Sequence, residues 1–159
     1  MTQVIQLTRG QAAQVDDEDY EMLSAYKWQA QPCGKTFRAV HSSRSNRIDM
    51  ARMITAAQPG QYVDHKNHDT LDNRRANLRL CTASQNAANS VRSTCWKNPY
   101  KGIAQSREKS LKNPRWFAFI RVQGERHYLG CFKSPEEAAR AYDAAAKKQF
   151  GDFASINGV

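Results

Sequence analysis

Val63-Asp64-His65-Lys66-Asn67-His68-Asp69-Thr70-Leu71-Asp72-Asn73-Arg74-Arg75-Ala76-Asn77-Leu78-Arg79-Leu80-Cys81-Thr82-Ala83-Ser84-Gln85-Asn86 is the stretch that decides the fold. Gln61 to His65 reads as a strand that ends in a polar cluster, after the break at Pro59-Gly60. Lys66 to Asn77 is a polar loop, and Leu78 to Cys81 alternates like a second strand. Thr82 with Gln85 three residues on fits a capping box, so a helix carries Asn86 on its first turns. The order is strand, long loop, strand, helix: a ββα unit over about Tyr62 to Val91.

Upstream, Val4 to Leu7 and Gln11 to Val15 flank the turn Thr8-Arg9-Gly10 as two strands. The acids at 16 to 19 mark a helix N-terminus ahead of Tyr20, Met22, Leu23 and Tyr26. Tyr20, Leu23, Tyr26 and Trp28 are expected in the core. Thr36 to His41 and Arg47 to Met50 read as a hairpin. Downstream, Ser93 to Tyr100 is aperiodic and reads as a linker. Tyr100 to Gln105, Trp116 to Gln123 and Arg126 to Phe132 then form a meander, with a turn at Gln123-Gly124-Glu125. Ser134, Pro135 and Glu137 open a helix that Gly151 ends, and its face of Ala138, Ala141, Tyr142 and Ala145 suits close packing on a sheet. The fold class is α+β: a module over 1–92 that contains the ββα unit, a linker at 93–99, and a three-stranded antiparallel sheet packed on one helix over 100–159.

The chain has 159 residues and 24 Lys plus Arg against 15 Asp plus Glu, a formal charge of +9. That excess favours polyanionic partners, because Lys and Arg on phosphates release condensed counterions. No membrane-spanning run and no secretory start are visible, so an intracellular address is expected. The four cysteines at 33, 81, 95 and 131 have no close pair, which argues against a zinc site or a disulfide framework.

Asp64-His65, Asn77 and Asn86 carry the chemistry, Asn77 and Asn86 standing 12 and 21 residues after His65. Phosphodiester hydrolysis needs a general base and a hard cation. Neutral imidazole takes a proton near neutral pH, which makes His65 the candidate base. Mg²⁺ prefers oxygen ligands and keeps several waters, so Asp64 and Asn86 suffice as protein donors, with Mn²⁺ as the alternative ion. Simple alternation puts Asp64 and His65 on opposite faces of the strand, unless the chain turns at the strand end.

On these residues the chain from about Val4 to Asn89 resembles the HNH endonucleases, particularly the phage and intron-encoded branch whose last motif residue is Asn. The resemblance implies that Asp64 and Asn86 hold the metal and that His65 is the base. Asn77 would clamp the loop backbone and so hold His65 in orientation. Arg74 and Arg75 match the family's basic pair, contacting phosphate or bracing the loop. Met50-Ala51-Arg52 stands where many relatives carry His-Arg, which leaves Arg52 as a phosphate contact and removes a polar group at Ala51. His68 occupies a loop position where relatives often have Gly.

In the second module, alternation sends Ala118, Ile120, Val122 and Leu129 toward the helix, and Phe117, Phe119, Arg121, Arg126 and Tyr128 away from it. The outer face is aromatic and basic, as a sheet entering a DNA groove would be. From Tyr100 to Asn157 the chain resembles the plant ethylene-response-factor (Apetala-two) DNA-binding domain through Tyr100-Lys101-Gly102-Ile103, Tyr128-Leu129-Gly130-Cys131-Phe132 and Glu136 to Ala146. That resemblance places Arg121, Arg126 and Tyr128 at DNA-contact positions. Lys109, Lys112 and Arg115, in and beside an insert over 108–114, are phosphate contacts that fix position without reading sequence.

The expectation is a metal-dependent, homing-type phage endonuclease acting on double-stranded DNA in the cytoplasm of a bacterial or phage-infected cell. One ββα unit holds one site, so nicking is favoured for a monomer, and a homodimer could cut both strands. The alternative is a catalytically silent DNA-binding regulator, with Ala51 as its sequence support.

Overall fold

The computed structural model describes residues 1–43, 47–90, 98, 100–106 and 115–159. The expected linker at 93–99, apart from Asn98, and the insert with Lys109 and Lys112 lie outside the described residues. The chain is mixed α and β, built from small antiparallel sheets and helices, in two compact units, Met1–Ala83 and Ser84–Val159. Among the described residues no helix is long and apolar enough to cross a membrane.

In the first unit, β1 (Thr2–Gln6) and β2 (Ala12–Asp16) pair antiparallel, followed by α1 (Asp17–Ser24). β3 (Gln29–Cys33), β4 (Thr36–Ser42) and β5 (Arg47–Asp49) form a sheet in that order, and α2 (Met50–Ile54) follows with Asp49 capping the Arg52 N–H. β6 (Tyr62–His65) and β7 (Leu78–Cys81) form the hairpin under the long loop, with Asp64 opposite Arg79 and His65 opposite Leu78. Val15, Leu23, Trp28, Met50, Ala51, Ile54 and Leu78 pack as its core. Two expectations are corrected here. Tyr20 is exposed, because Asp19 occupies the buried side of α1 to meet Arg75. Met50 begins a helix rather than ending a strand, since the Asp49 carboxylate caps the chain there.

The loop from 66 to 77 is fastened at several points. Gln14 N–H donates to Leu71 O and Asn73 N–H to Gln14 O, both at 2.8 Å, so the loop runs beside β2. Thr70 Oγ1 donates to Phe37 O at 2.6 Å. His68 sits at φ +65°, the left-handed region that glycine occupies without strain.

The second unit contains most of α3 (Ala83–Asn89), then β8 (Ile103–Gln105), β9 (Trp116–Val122), β10 (Glu125–Phe132) and α4 (Pro135–Phe150). β9 is central, with β8 and β10 antiparallel to it. Gln123 and Gly124 alone connect β9 to β10, both at positive φ (51° and 91°), which suits the right-handed strand twist of a two-residue hairpin. Ser134 Oγ accepts from Glu137 N–H, Pro135 opens α4, and Gly151 closes it at φ +52°. Ala138 packs on Ile103 and Ala118, while Tyr142, Ala146 and Phe150 pack with Ala88 and Ile120. Helix over three-stranded sheet, with the expected sides facing inward, is the observed packing. α3 joins this core through Ala88, and Lys101 Nζ closes its C-terminal end by donating to Ala88 O and Ser90 O at 2.6 and 2.7 Å.

Candidate active site

The first unit brings Asp64, His65, Asn73 and Asn77 together on one hairpin and its loop, all of them buried. His65 ends β6, where the chain turns: Lys66 N–H donates to Asn77 O at 3.0 Å and His68 N–H to His65 O at 3.1 Å. Its Nε2 lies 3.2 Å from Asn73 Oδ1. Asn73 Nδ2 faces Leu71 O, so its Oδ1 is the atom turned to the imidazole. An amide oxygen can only accept, so Nε2 carries the proton in the neutral ring and Nδ1 is the basic nitrogen. Burial lowers the His65 pKa below its ordinary value of 6.5, a shift opposed by the Asn73 hydrogen bond and the nearby Asp49 charge. The ring is therefore neutral at pH 7 and able to accept a proton.

Asn77 spans the neck of the loop. Its Oδ1 accepts from Asn67 N–H at 3.0 Å and its Nδ2 donates to Asp72 O at 2.7 Å. With the Lys66 to Asn77 backbone bond, one side chain ties both arms of the loop. Asn73, which aligns His65, was not singled out from sequence. The only signal was its place in a polar loop beside a candidate base.

Asp64 stands opposite Arg79 in the hairpin register and meets it directly. Nε and Nη2 of Arg79 both lie 2.8 Å from Asp64 Oδ2. This ion pair offsets the burial of a nearly inaccessible carboxylate. Desolvation pushes the neighbouring Cys81 thiol up to about 11, so Cys81 is a packing residue rather than a thiolate. Asn86, the other expected metal donor, is half-buried on α3 in the second unit.

The donor chemistry suits a hard cation. Asp64 of the first unit offers oxygen, and a hydrated Mg²⁺ needs only one or two such protein donors. A closed zinc site needs about four His or Cys ligands. Among the described residues no group of three or more His, Cys, Asp or Glu is arranged to hold a metal.

The basic residues expected at phosphate make intramolecular bonds. Arg52 donates to the carbonyls of Ala57, Gln58 and Gln61 at 2.7 to 3.0 Å and so shapes the turn before β6. Arg74 forks onto both oxygens of Asp72 at 2.7 Å, which holds that carboxyl below its usual range. Arg75 forks onto Asp19 at 2.6 and 2.8 Å and also meets Glu18. Ala51 is packed in the core.

In the second unit, Phe117, Phe119 and Tyr128 cluster on the outer sheet face with ring centroids 5.5 to 6.5 Å apart. The Arg126 guanidinium carbon lies 3.6 Å from the Phe119 ring centroid. Arg121 and Arg126 stand opposite each other across the strands, both exposed.

The HNH endonuclease family model matches residues 58–88, the segment that carries Asp64, His65, Asn73, Asn77 and Asn86. An uncharacterized HNH endonuclease of Acanthamoeba polyphaga mimivirus is 29% identical over 153 residues, covering 95% of this chain and 77% of that protein. An ethylene-responsive transcription factor of Arabidopsis thaliana is 53% identical over 47 residues, covering 28% of this chain but only 18% of that protein. No solved structure matches the chain significantly. Over that segment the chain is similar to HNH endonucleases, a family that acts on DNA and generally uses a divalent metal.

Proposed function

We propose that the chain is a metal-dependent endonuclease that hydrolyses phosphodiester bonds of double-stranded DNA, with His65 as general base. The observation that carries this reading is the buried imidazole held by Asn73 on a loop closed by Asn77, inside the segment that resembles HNH endonucleases. A proton on Nε2, bonded to Asn73, leaves Nδ1 to take the proton of the attacking water. Asn77 keeps the loop, and with it the end of β6, from shifting as substrate binds. Asp64 and Asn86 would hold the Mg²⁺ or Mn²⁺ ion, which stabilises charge on the phosphoryl and leaving oxygens. Arg79 holds the Asp64 carboxylate in place across the hairpin. Arg74 and Arg75, each partly exposed, brace the loop and offer their outer sides to phosphate, and Arg52 fixes the turn that leads into the site.

The ββα-metal arrangement of β6, β7 and α3 belongs to this proposal, as do nicking by a monomer, a phage or homing origin, and a bacterial cytoplasmic setting. So does the division into a nuclease module over 1–92 and a DNA-binding module over 100–159, in which Arg121, Arg126 and Tyr128 contact DNA.

A second reading has one observation in its favour. Arg79 already neutralises Asp64, and a chain that no longer bound metal would keep that pair as plain structure, leaving a DNA-binding regulator. Supercoiled plasmid incubated with the protein in Mg²⁺, Mn²⁺ or EDTA separates the two. The nuclease converts it to relaxed circles or discrete linear products only with metal, whereas the regulator shifts it on a gel uncut.

A further inference from the structure

The outer sheet face of the second unit does not end at its aromatic cluster. β8 starts only at Ile103, so β9 runs past it, and among the described residues the chain before β8 meets that edge through Phe119 N–H to Gly102 O at 2.7 Å. Beyond that bond lies a cleft of about 320 Å³, lined by Lys101, Gly102, Phe119, Arg121, Arg126 and Tyr142 among others. Its charged lining is wholly cationic: Lys101, Arg121 and Arg126, with no acid among the lining residues.

Arg121 and Arg126 are held side by side. The N–H of Phe119 points toward β8, so that of Arg121, two residues on, points the same way, and Arg121 and Arg126 form a pair without mutual backbone bonds, the arrangement that brings side chains closest. Two like charges directly opposite each other destabilise a sheet, and neither arginine has an ion pair with an acid among the described residues. A bound anion relieves that repulsion, and the planar guanidinium suits phosphate. The apolar lining, with Ile103, Ile120 and Tyr142, includes a half-buried ring, Phe119, on which Arg126 lies. The floor is fixed, because a Cβ on Gly102 would come within 1.9 Å of the Tyr142 ring.

We infer that this cleft binds a single nucleotide unit, its base stacked on the Phe119 ring and its phosphate between Arg121 and Arg126, the Arg126 guanidinium leaving the ring to meet it. The volume is that of a small-ligand site, too confined for two stacked bases and their sugars. Aromatic rings with adjacent arginines are the physical basis of unpaired-base recognition, since every base has a π-face and paired bases in a duplex keep theirs stacked on their neighbours. The inference rests on the reading of the second unit as a DNA-binding module and narrows it: this edge takes an unpaired nucleotide, such as one at a nick, gap or strand end, rather than an intact duplex.

The test is fluorescence anisotropy of the full chain in EDTA, where no cleavage interferes, against a labelled short oligothymidylate, the same oligomer with abasic units, and a blunt duplex. The oligothymidylate should bind at least about fivefold more tightly than its abasic counterpart, the low end of what one stacked base contributes. Phe119→Leu, which keeps apolar bulk, should erase that difference, and Arg121→Gln should weaken both single strands alike. Equal binding of the abasic strand, or a base-dependent gain that survives Phe119→Leu, would overturn the inference. So would duplex binding that depends on Arg121 while neither single strand binds, since the face would then read duplex alone. Competition by thymidine 5′-monophosphate identifies the source: displacement supports the site with a free nucleotide as ligand, and persistence of base-dependent binding supports it with one held in a strand. Metal-dependent plasmid cleavage is scored separately, so loss of either result leaves the other standing.

Discussion

Replacing Asn73 removes a polar side chain whose bond to His65 sets its proton position. Asn73 is 1% exposed, and its Oδ1 accepts from the His65 imidazole at 3.2 Å, while its Nδ2 reaches Leu71 O at a longer 3.4 Å. Its backbone N–H bond to Gln14 survives substitution. Asn73→Ala therefore strands one buried N–H on His65 and forfeits one weak bond, which costs about 1–3 kcal/mol of stability. Urea unfolding should show that loss as a lower midpoint. The imidazole can then rotate or switch tautomer, so kcat for plasmid cleavage should fall at least about tenfold with little change in KM, because the base acts on water and not on DNA binding. Asn73→Asp keeps an acceptor but adds a negative charge beside the ring. In the parent chain burial lowers the His65 pKa, and a neighbouring carboxylate raises it. A raised pKa protonates the base at higher pH, so the acid limb of the pH–rate profile should move to higher pH in Asn73→Asp. An Asn73→Ala variant with parental midpoint and parental kcat would refute the orienting role.

Other perturbations have equally definite outcomes. Arg79→Leu leaves Asp64 buried without its cation and should cost about 3–5 kcal/mol in denaturant titration, with much of the loss restored by Asp64→Asn in the same chain. Gly102→Ala places a methyl in the Tyr142 ring at φ +74°, and should cost about 1–3 kcal/mol from overpacking plus about 1–2 from the left-handed backbone, read as a lower melting temperature. His65 also makes stability pH-dependent. Its folded pKa lies below the unfolded value of 6.5, so the unfolded chain takes up the proton first and stability falls as pH drops below about 6.5. His65→Asn should flatten that part of the stability profile.

Much of this architecture was legible because local rules and tertiary packing agree. Ser134, Pro135 and Glu137 announce α4 through caps that need no knowledge of the rest of the chain. Alternation along 116–122 sorts the sheet faces because one side of β9 must be apolar to meet the helix. The hairpin of β6 and β7 was visible for the same reason. What remained hidden depends on register and on distant partners. β3 contains Pro32 and no clean alternation, yet it pairs as an edge strand, where a missing N–H is tolerated. The acids opening α1 read as dipole partners, but Asp19 is buried against an arginine 56 residues away. Arg79 meets Asp64 only once the hairpin register is known, and Asn73 reaches His65 only because the loop bends back along β2. The grouping of α3 with the second core follows from Ala88 and Lys101, whose contacts no local pattern reveals.

The central claim is that His65 is the base of a metal-dependent nuclease. Its most direct test compares the parent chain with His65→Ala on supercoiled plasmid and phage genomic DNA, in Mg²⁺ and in EDTA, with gel-shift binding measured on the same samples. The account predicts metal-dependent relaxed or linear products from the parent, none from the variant, and retained DNA binding by both. Equal cleavage by His65→Ala, or parental cleavage undiminished in EDTA, would contradict it.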